Sequence, residues 1–211
     1  AQDFIIKNVI RINEGVERYK SLNQKHINVL NTGIENESLY LLAETTQSRY
    51  NIGLAAQHQI ISEGSAAKLE TINEINKKNV FQLFSAHLES GKKITLEKTV
   101  SICSDKEDFI EDALMSALKG LKRAADFGYL LNLSEKKWAE IWKKIDIQIE
   151  GDRMSQKLLR LHLYHLITSV SPFNAFLDAS ITARGLHGEA YRGHIFWDEL
   201  FILPFYDLHL P

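Results

Sequence analysis

Two kinds of hydrophobic pattern divide the chain near residue 104. From Asp3 to Cys103 the apolar residues come in short runs rich in β-branched and aromatic side chains, with partial alternation: Phe4 to Ile12, His26 to Leu30, Ser38 to Thr46, Val80 to Leu88 and Ile94 to Ile102. Period-2 runs of this length predict strands. In the last run Ile94, Leu96, Lys98, Val100 and Ile102 share one face and Thr95, Glu97, Thr99 and Ser101 the other. Gly33 and Gly91, each beside polar residues, are expected at turns. An antiparallel sandwich is the predicted architecture. From Asp105 the period becomes helical. Asp105 or Asp108 is expected to cap a helix with Phe109, Ile110, Ala113, Leu114, Ala117, Leu118, Leu121 and Ala125 on one stripe, closed by Gly128 at its C-terminal end. Ser134 is expected to cap a second helix that buries Trp138, Ile141, Trp142 and Ile145. The segment Asp146 to Gly151 breaks that pattern. Asp152 starts a third helix, with Met154, Leu158, Leu161 and Leu166 among its apolar positions, which stops before Pro172.

Composition narrows the class. Among 211 residues, 25 Lys and Arg against 27 Asp and Glu leave a formal charge of −2, whereas a protein that grips nucleic acid or an anionic membrane needs a basic surface. Neither partner is expected. No apolar stretch approaches the roughly 20 residues of a membrane-spanning helix; Leu39 to Ala43 is typical. The single cysteine, Cys103, has no intramolecular disulfide partner and no flanking basic residue to favour its thiolate, so an inert buried thiol is expected. Both ends are abrupt, which reads as a segment of a longer protein.

Most candidate motifs carry little chemistry. The stretch Arg184 to Gly193 holds Gly185, Gly188 and Gly193 but has neither the Gly-Lys-Ser/Thr of a phosphate loop nor a GxGxxG pattern, so turn glycines are the simpler reading. His162 and His165 share a helix face at i, i+3, yet no carboxylate or cysteine completes a metal set; none is expected. Trp138 and Trp142 read as a packing stripe. Phe196-Trp197-Asp198 is different in kind. An aromatic ring can cover the apolar face of a pyranose while an adjacent carboxylate accepts hydrogen bonds from two neighbouring hydroxyls. A buried aromatic cluster with one satisfied acid would give the same letters.

The residues Arg184-Gly185-Leu186, Gly188-Glu189, Tyr191-Arg192-Gly193-His194 and Phe196-Trp197-Asp198 together resemble glycoside hydrolase family 65. Further resemblance lies in Trp138, Trp142, the run Asp146 to Asp152 with Gln156, and Leu96-Glu97-Lys98. The family's usual Phe-Trp-Asp-Thr-Glu is here Phe196-Trp197-Asp198-Glu199-Leu200, as in a bacterial branch. The resemblance implies that residues 1–104 are the later part of an N-terminal β-supersandwich, 105–150 a helical linker, and 151–211 the start of an incomplete (α/α)6 catalytic barrel. It implies an inverting α-glucoside phosphorylase that cleaves an α-linked glucose disaccharide with inorganic phosphate to β-glucose 1-phosphate and glucose. An α-glucoside hydrolase and a non-catalytic carbohydrate-binding or assembly fragment are the alternatives. Phe196, Trp197 and Asp198 would line the glucose subsite, with Arg184, Tyr191 and His194 fixing the loop behind them. The catalytic acid, a Glu, is expected downstream of Pro211, so neither Glu189 nor Glu199 is assigned that role. No cofactor is implied beyond phosphate as co-substrate. The implied partners are the disaccharide, phosphate and the rest of the polypeptide, with a homodimer admitted. The implied location is the cytoplasm, or the periplasm for a hydrolase. Apolar surface around Phe201 to Leu210 is expected to be exposed in these 211 residues by themselves.

Overall fold

A computed structural model of the protein describes residues 2–11, 26–62, 70–171, 181 and 194–209. Seven strands come first: β1 (Gln2–Arg11), β2 (Ile27–Glu35), β3 (Ser38–Thr45), β4 (Asn51–Ser62), β5 (Glu70–Ile75), β6 (Asn79–Leu88) and β7 (Ile94–Ser104). Four helices follow: α1 (Ala113–Arg123), α2 (Phe127–Ile145), α3 (Arg153–Thr168) and α4 (Glu199–His209). The chain divides into two compact units, residues 1–127 and 128–211.

The first unit is a β-sandwich. Antiparallel strands form a three-stranded sheet in the order β1-β6-β5 and a four-stranded sheet in the order β2-β3-β4-β7. Alternation in β3 sends Leu39, Leu41 and Ala43 between the sheets, where they meet Ile10, Ala56 and Val80. Tyr40, on the opposite face of β3, packs with Ala55 and with Ala117, Leu118 and Leu121 of α1. The four-stranded sheet is thus covered on both faces at β3 and β4. Strand β7 lies at its edge, which leaves Val100 and Ile102 of its apolar row exposed.

Several local expectations are corrected. Gly33 lies inside β2, not at a turn; it faces Tyr40 across the ladder, and a Cβ there would overlap the Tyr40 ring. The turn is made instead by Asn36 and Glu37, both at positive φ. Gly91 does occupy a turn, at φ +80°. The cap of α1 is Asp112, whose carboxylate accepts from the Met115 N–H at 2.9 Å. Asp105 is committed elsewhere, accepting from both the backbone N–H and the side-chain amide of Asn51 at 2.7 Å. Phe109, expected on the α1 stripe, precedes the helix and is exposed. The helix stops at Arg123, short of Gly128, because Ala124 turns to an extended conformation. Ser134 lies within α2 and does not cap it; Glu97 of β7 meets the start of that helix, accepting from the Phe127 N–H at 2.7 Å.

His58 sits on the inner face of β4, with its ring centroid 5.7 Å from that of Phe84 on the facing sheet. Burial, with the Lys98 charge directly across the ladder, pushes its pKa from 6.5 down to about 4, while a hydrogen bond with Gln82 opposes the shift. Between those values the unfolded chain takes up a proton that the native state resists. This contribution to stability is complete above pH 6.5 and is lost as pH falls towards 4. Comparing urea midpoints at pH 7.5 and pH 5 checks it: His58→Gln is expected to show a smaller acid-induced drop than the parent.

The second unit collects α2, α3 and α4 around Ile145, Leu163, Ile167 and Tyr206, flanked by Trp138, Ile141 and Trp142. The paired tryptophans pack, at 6.2 Å between ring centroids, and Trp138 lies 5.1 Å from Tyr164. The Tyr206 hydroxyl donates to the Leu166 carbonyl at 2.8 Å, and burial raises its pKa to about 12. Asp152 caps α3 through the Met154 and Ser155 N–H groups. The connection before it is held from α3. Arg160 makes a two-pronged ion pair to Asp146 at 2.8 and 2.6 Å. The Gln156 amide donates to the Ile147 carbonyl at 3.0 Å and accepts from the Ile149 N–H at 2.6 Å. These contacts account for the break between the second and third helices. The buried side of α3 is marked by Leu163 and Ile167, while Met154, Leu158 and Leu161 face outward.

Candidate functional site

The Phe196-Trp197-Asp198 run forms the turn that opens α4. Three successive i→i+3 bonds wind it: Glu199 N–H to the Phe196 carbonyl at 3.2 Å, then Leu200 to Trp197 and Phe201 to Asp198, both at 3.1 Å. The backbone carbonyls of all three motif residues are therefore spent inside the turn, and their side chains project from a fixed frame. Trp197 is 68% exposed and Asp198 is exposed beside it. Trp197 and Asp198 thus stand side by side at the surface and not in a buried cluster.

Other aromatic rings pack beside the motif. Phe201, one turn along α4, meets Trp197 edge-on, with centroids 5.8 Å apart and planes at 78°. His194 lies 6.3 Å from the Phe196 ring. Arg184 and Tyr191, also expected at the site, fall outside the described residues, as does Glu189. Two contributors were not identified from the motif: Phe201 and Glu199. The signals for them are the i, i+4 spacing from Trp197 and the i, i+3 spacing from Phe196.

Among the described residues no group of three or more His, Cys, Asp or Glu could hold a metal ion. His162 is exposed on α3, and His165 packs edge-on to Tyr164. A separate hollow of about 260 Å³ lies in the first unit, where Gln57, Gln59, Glu97 and Thr99 meet the end of α1.

Comparison with known proteins places the chain in a family. The model of the N-terminal domain of glycosyl hydrolase family 65 matches residues 2–141, and that of the family's central catalytic domain matches residues 160–211. This chain belongs to glycosyl hydrolase family 65. It is 33% identical over 198 residues to an uncharacterized glycosyl hydrolase of Mycobacterium tuberculosis, covering 93% of this chain and 15% of the relative. It is 29% identical to a trehalose 6-phosphate phosphorylase of Lactococcus lactis, covering 95% of this chain and 25% of the relative. A solved structure, provisionally described as a kojibiose phosphorylase from human microbiome, superposes with a TM-score of 0.73 at 26% identity, covering 97% of this chain and 26% of the other. The chain thus spans a quarter or less of the length of these curated relatives.

Proposed function

We propose that these residues belong to an inverting α-glucoside phosphorylase, which cleaves an α-linked glucose disaccharide with inorganic phosphate to give β-glucose 1-phosphate and a second sugar. The observation that carries this reading is the exposed Trp197–Asp198 pair, fixed on the first turn of α4 inside the match to the family's catalytic domain. It is supported by the names of the Lactococcus relative and of the human-microbiome structure, which are phosphorylase names, the second given provisionally. In this reading residues 1–104 belong to the supersandwich, 105–150 link it to the catalytic domain, and 151–211 open an (α/α)6 barrel.

Trp197 covers the apolar face of the glucosyl ring, and Asp198 accepts from two of its hydroxyls. Binding of this kind holds the anomeric carbon for attack from the face opposite the leaving group. An acid protonates the departing oxygen while phosphate supplies the nucleophile. We place that acid on a Glu downstream of Pro211. Phosphate is co-substrate, and no cofactor is required. Among the described residues no helix is long and apolar enough to cross a membrane.

A hydrolase reading is favoured by the name of the Mycobacterium relative. The two separate in one experiment: the complete gene product incubated with kojibiose, trehalose, trehalose 6-phosphate, maltose and nigerose, with and without phosphate. The expected outcome is turnover of one disaccharide only when phosphate is present. Glucose release without phosphate would establish the hydrolase.

A further inference from the structure

We propose that Glu199 is a positioning residue for the sugar-binding turn, holding Trp197 and Asp198 in place through the backbone without touching the sugar. The inference rests on the reading of Trp197 and Asp198 as sugar-binding. Three observations carry it. The Glu199 carboxylate is turned back along the chain and accepts from the Phe196 N–H at 3.5 Å, while the Glu199 N–H donates to the Phe196 carbonyl at 3.2 Å. The two residues thus bracket Trp197 and Asp198 between them. Second, Glu199 is half-buried whereas Trp197, Asp198 and Leu200 on either side of it are exposed, so the acid that follows the motif faces into the turn. Third, the contact has the form of the acceptor half of a capping box, in which a Glu satisfies the backbone N–H three positions before it, here in the turn that opens α4. Phe196 has no side-chain oxygen to complete the reciprocal bond of such a box.

The position matters because this chain departs from Phe-Trp-Asp-Thr-Glu. Its acid stands one residue earlier, and one residue on a helix is a rotation of about 100°. At position 199 the carboxylate reaches back to Phe196; at 200 the side chain is Leu, 70% exposed. The acid here has a backbone-holding task that a carboxylate at 200 could not perform in the same geometry.

The test is titration of the complete gene product with D-glucose, read as a Kd, with steady-state kinetics on the disaccharide it turns over. Glu199→Ala is expected to weaken glucose about five- to tenfold, the loss typical of a helix cap, and to raise KM by a similar factor with kcat within about twofold. Glu199→Gln keeps an oxygen acceptor and is expected to stay within about twofold of the parent. Glu199→Asp, one methylene too short to reach Phe196, is expected to behave like the alanine variant and replaces it if that variant does not fold. An unchanged Kd in Glu199→Ala or Glu199→Asp would overturn the proposal. So would a glutamine variant as impaired as they are, because the charge, and not an acceptor for the Phe196 N–H, would then be what binding requires. Trp197→Ala separates the two levels. If it loses glucose while Glu199→Ala does not, the positioning role fails and the sugar site stands. If it binds glucose like the parent, the sugar-site reading fails and the positioning role with it.

Discussion

Trp197→Ala in the complete gene product is expected to lower kcat/KM for the disaccharide by about two orders of magnitude, and Asp198→Asn by a comparable factor. The magnitude follows from what each side chain gives the sugar. A carboxylate that accepts from two hydroxyls makes two charge-assisted hydrogen bonds, each worth about 1.5–3 kcal/mol, and its amide replacement keeps one acceptor at most. Removing the indole takes away the surface on which the ring lies, and with it the orientation of the anomeric carbon. Neither substitution should disturb folding, since Trp197 is 68% exposed and both side chains project from a turn closed by backbone bonds. Thermal midpoints within about 2 °C of the parent, alongside the kinetic loss, are the expected pair of results. Activity within threefold of the parent in both variants would remove the site from the account.

Gly53→Ala should produce the largest stability effect among these predictions. Gly53 lies on the face of β4 over which α1 crosses. A Cβ at this position would stand 2.3 Å from the Ala113 carbonyl oxygen, 2.5 Å from its carbon and 2.6 Å from the Leu114 nitrogen. All three are backbone atoms in the capped first turn of α1, so no side-chain rotation relieves the overlap. The helix must lift from the sheet, uncovering Ala55 and the Leu118–Leu121 cluster. Overpacking of this kind costs about 3 kcal/mol or more. Gly91→Ala provides the contrast: the backbone is at φ +80° but nothing lies within 4 Å, so the cost is conformational, about 1 kcal/mol. Urea midpoints of the two variants measure the difference. Equal, small shifts would mean that α1 does not approach β4 as closely as described.

The fold was legible wherever one face of a strand differs from the other. Strand β3 follows from alternation because Leu39, Leu41 and Ala43 meet the opposing sheet; in β7 the alternating apolar row is recognisable although Val100 and Ile102 are exposed. Strand β4 did not announce itself. It is a central strand with α1 on one face and the other sheet on the opposite one, so Gly53, Ala55 and Ala56 are all buried and no alternation survives. The helical stripe of α1 was in the right phase, with Ala113, Ala117, Leu118 and Leu121 buried, but its cap was misplaced. Asp105 has the sequence of a cap; whether it is free to act as one depends on Asn51, 54 residues earlier. Likewise Ser134 is a good cap by composition, yet α2 begins earlier, where Glu97 reaches its first N–H from the sheet.

The candidate site divides along the same line. Trp197 and Asp198 could be singled out because an aromatic next to an acid is a chemical pattern carried by neighbouring residues. Their exposure depended on the packing of α4, in which Tyr206 is buried while Trp197, Leu200 and Phe201 face outward. Exposed Phe201 and Leu208 match the apolar surface expected along that helix. The support from Phe201 and Glu199 could not be singled out, because it depends on which residue starts the helix and so on which side chains stand one turn above it.

The most direct test of the account is the disaccharide reaction of the complete gene product, followed by proton NMR in phosphate buffer from the first minutes. The account predicts that β-glucose 1-phosphate is the first glucosyl product and that its appearance stops when phosphate is withheld. Formation of the α-anomer of the sugar phosphate, or release of free glucose at the same rate without phosphate, would contradict it.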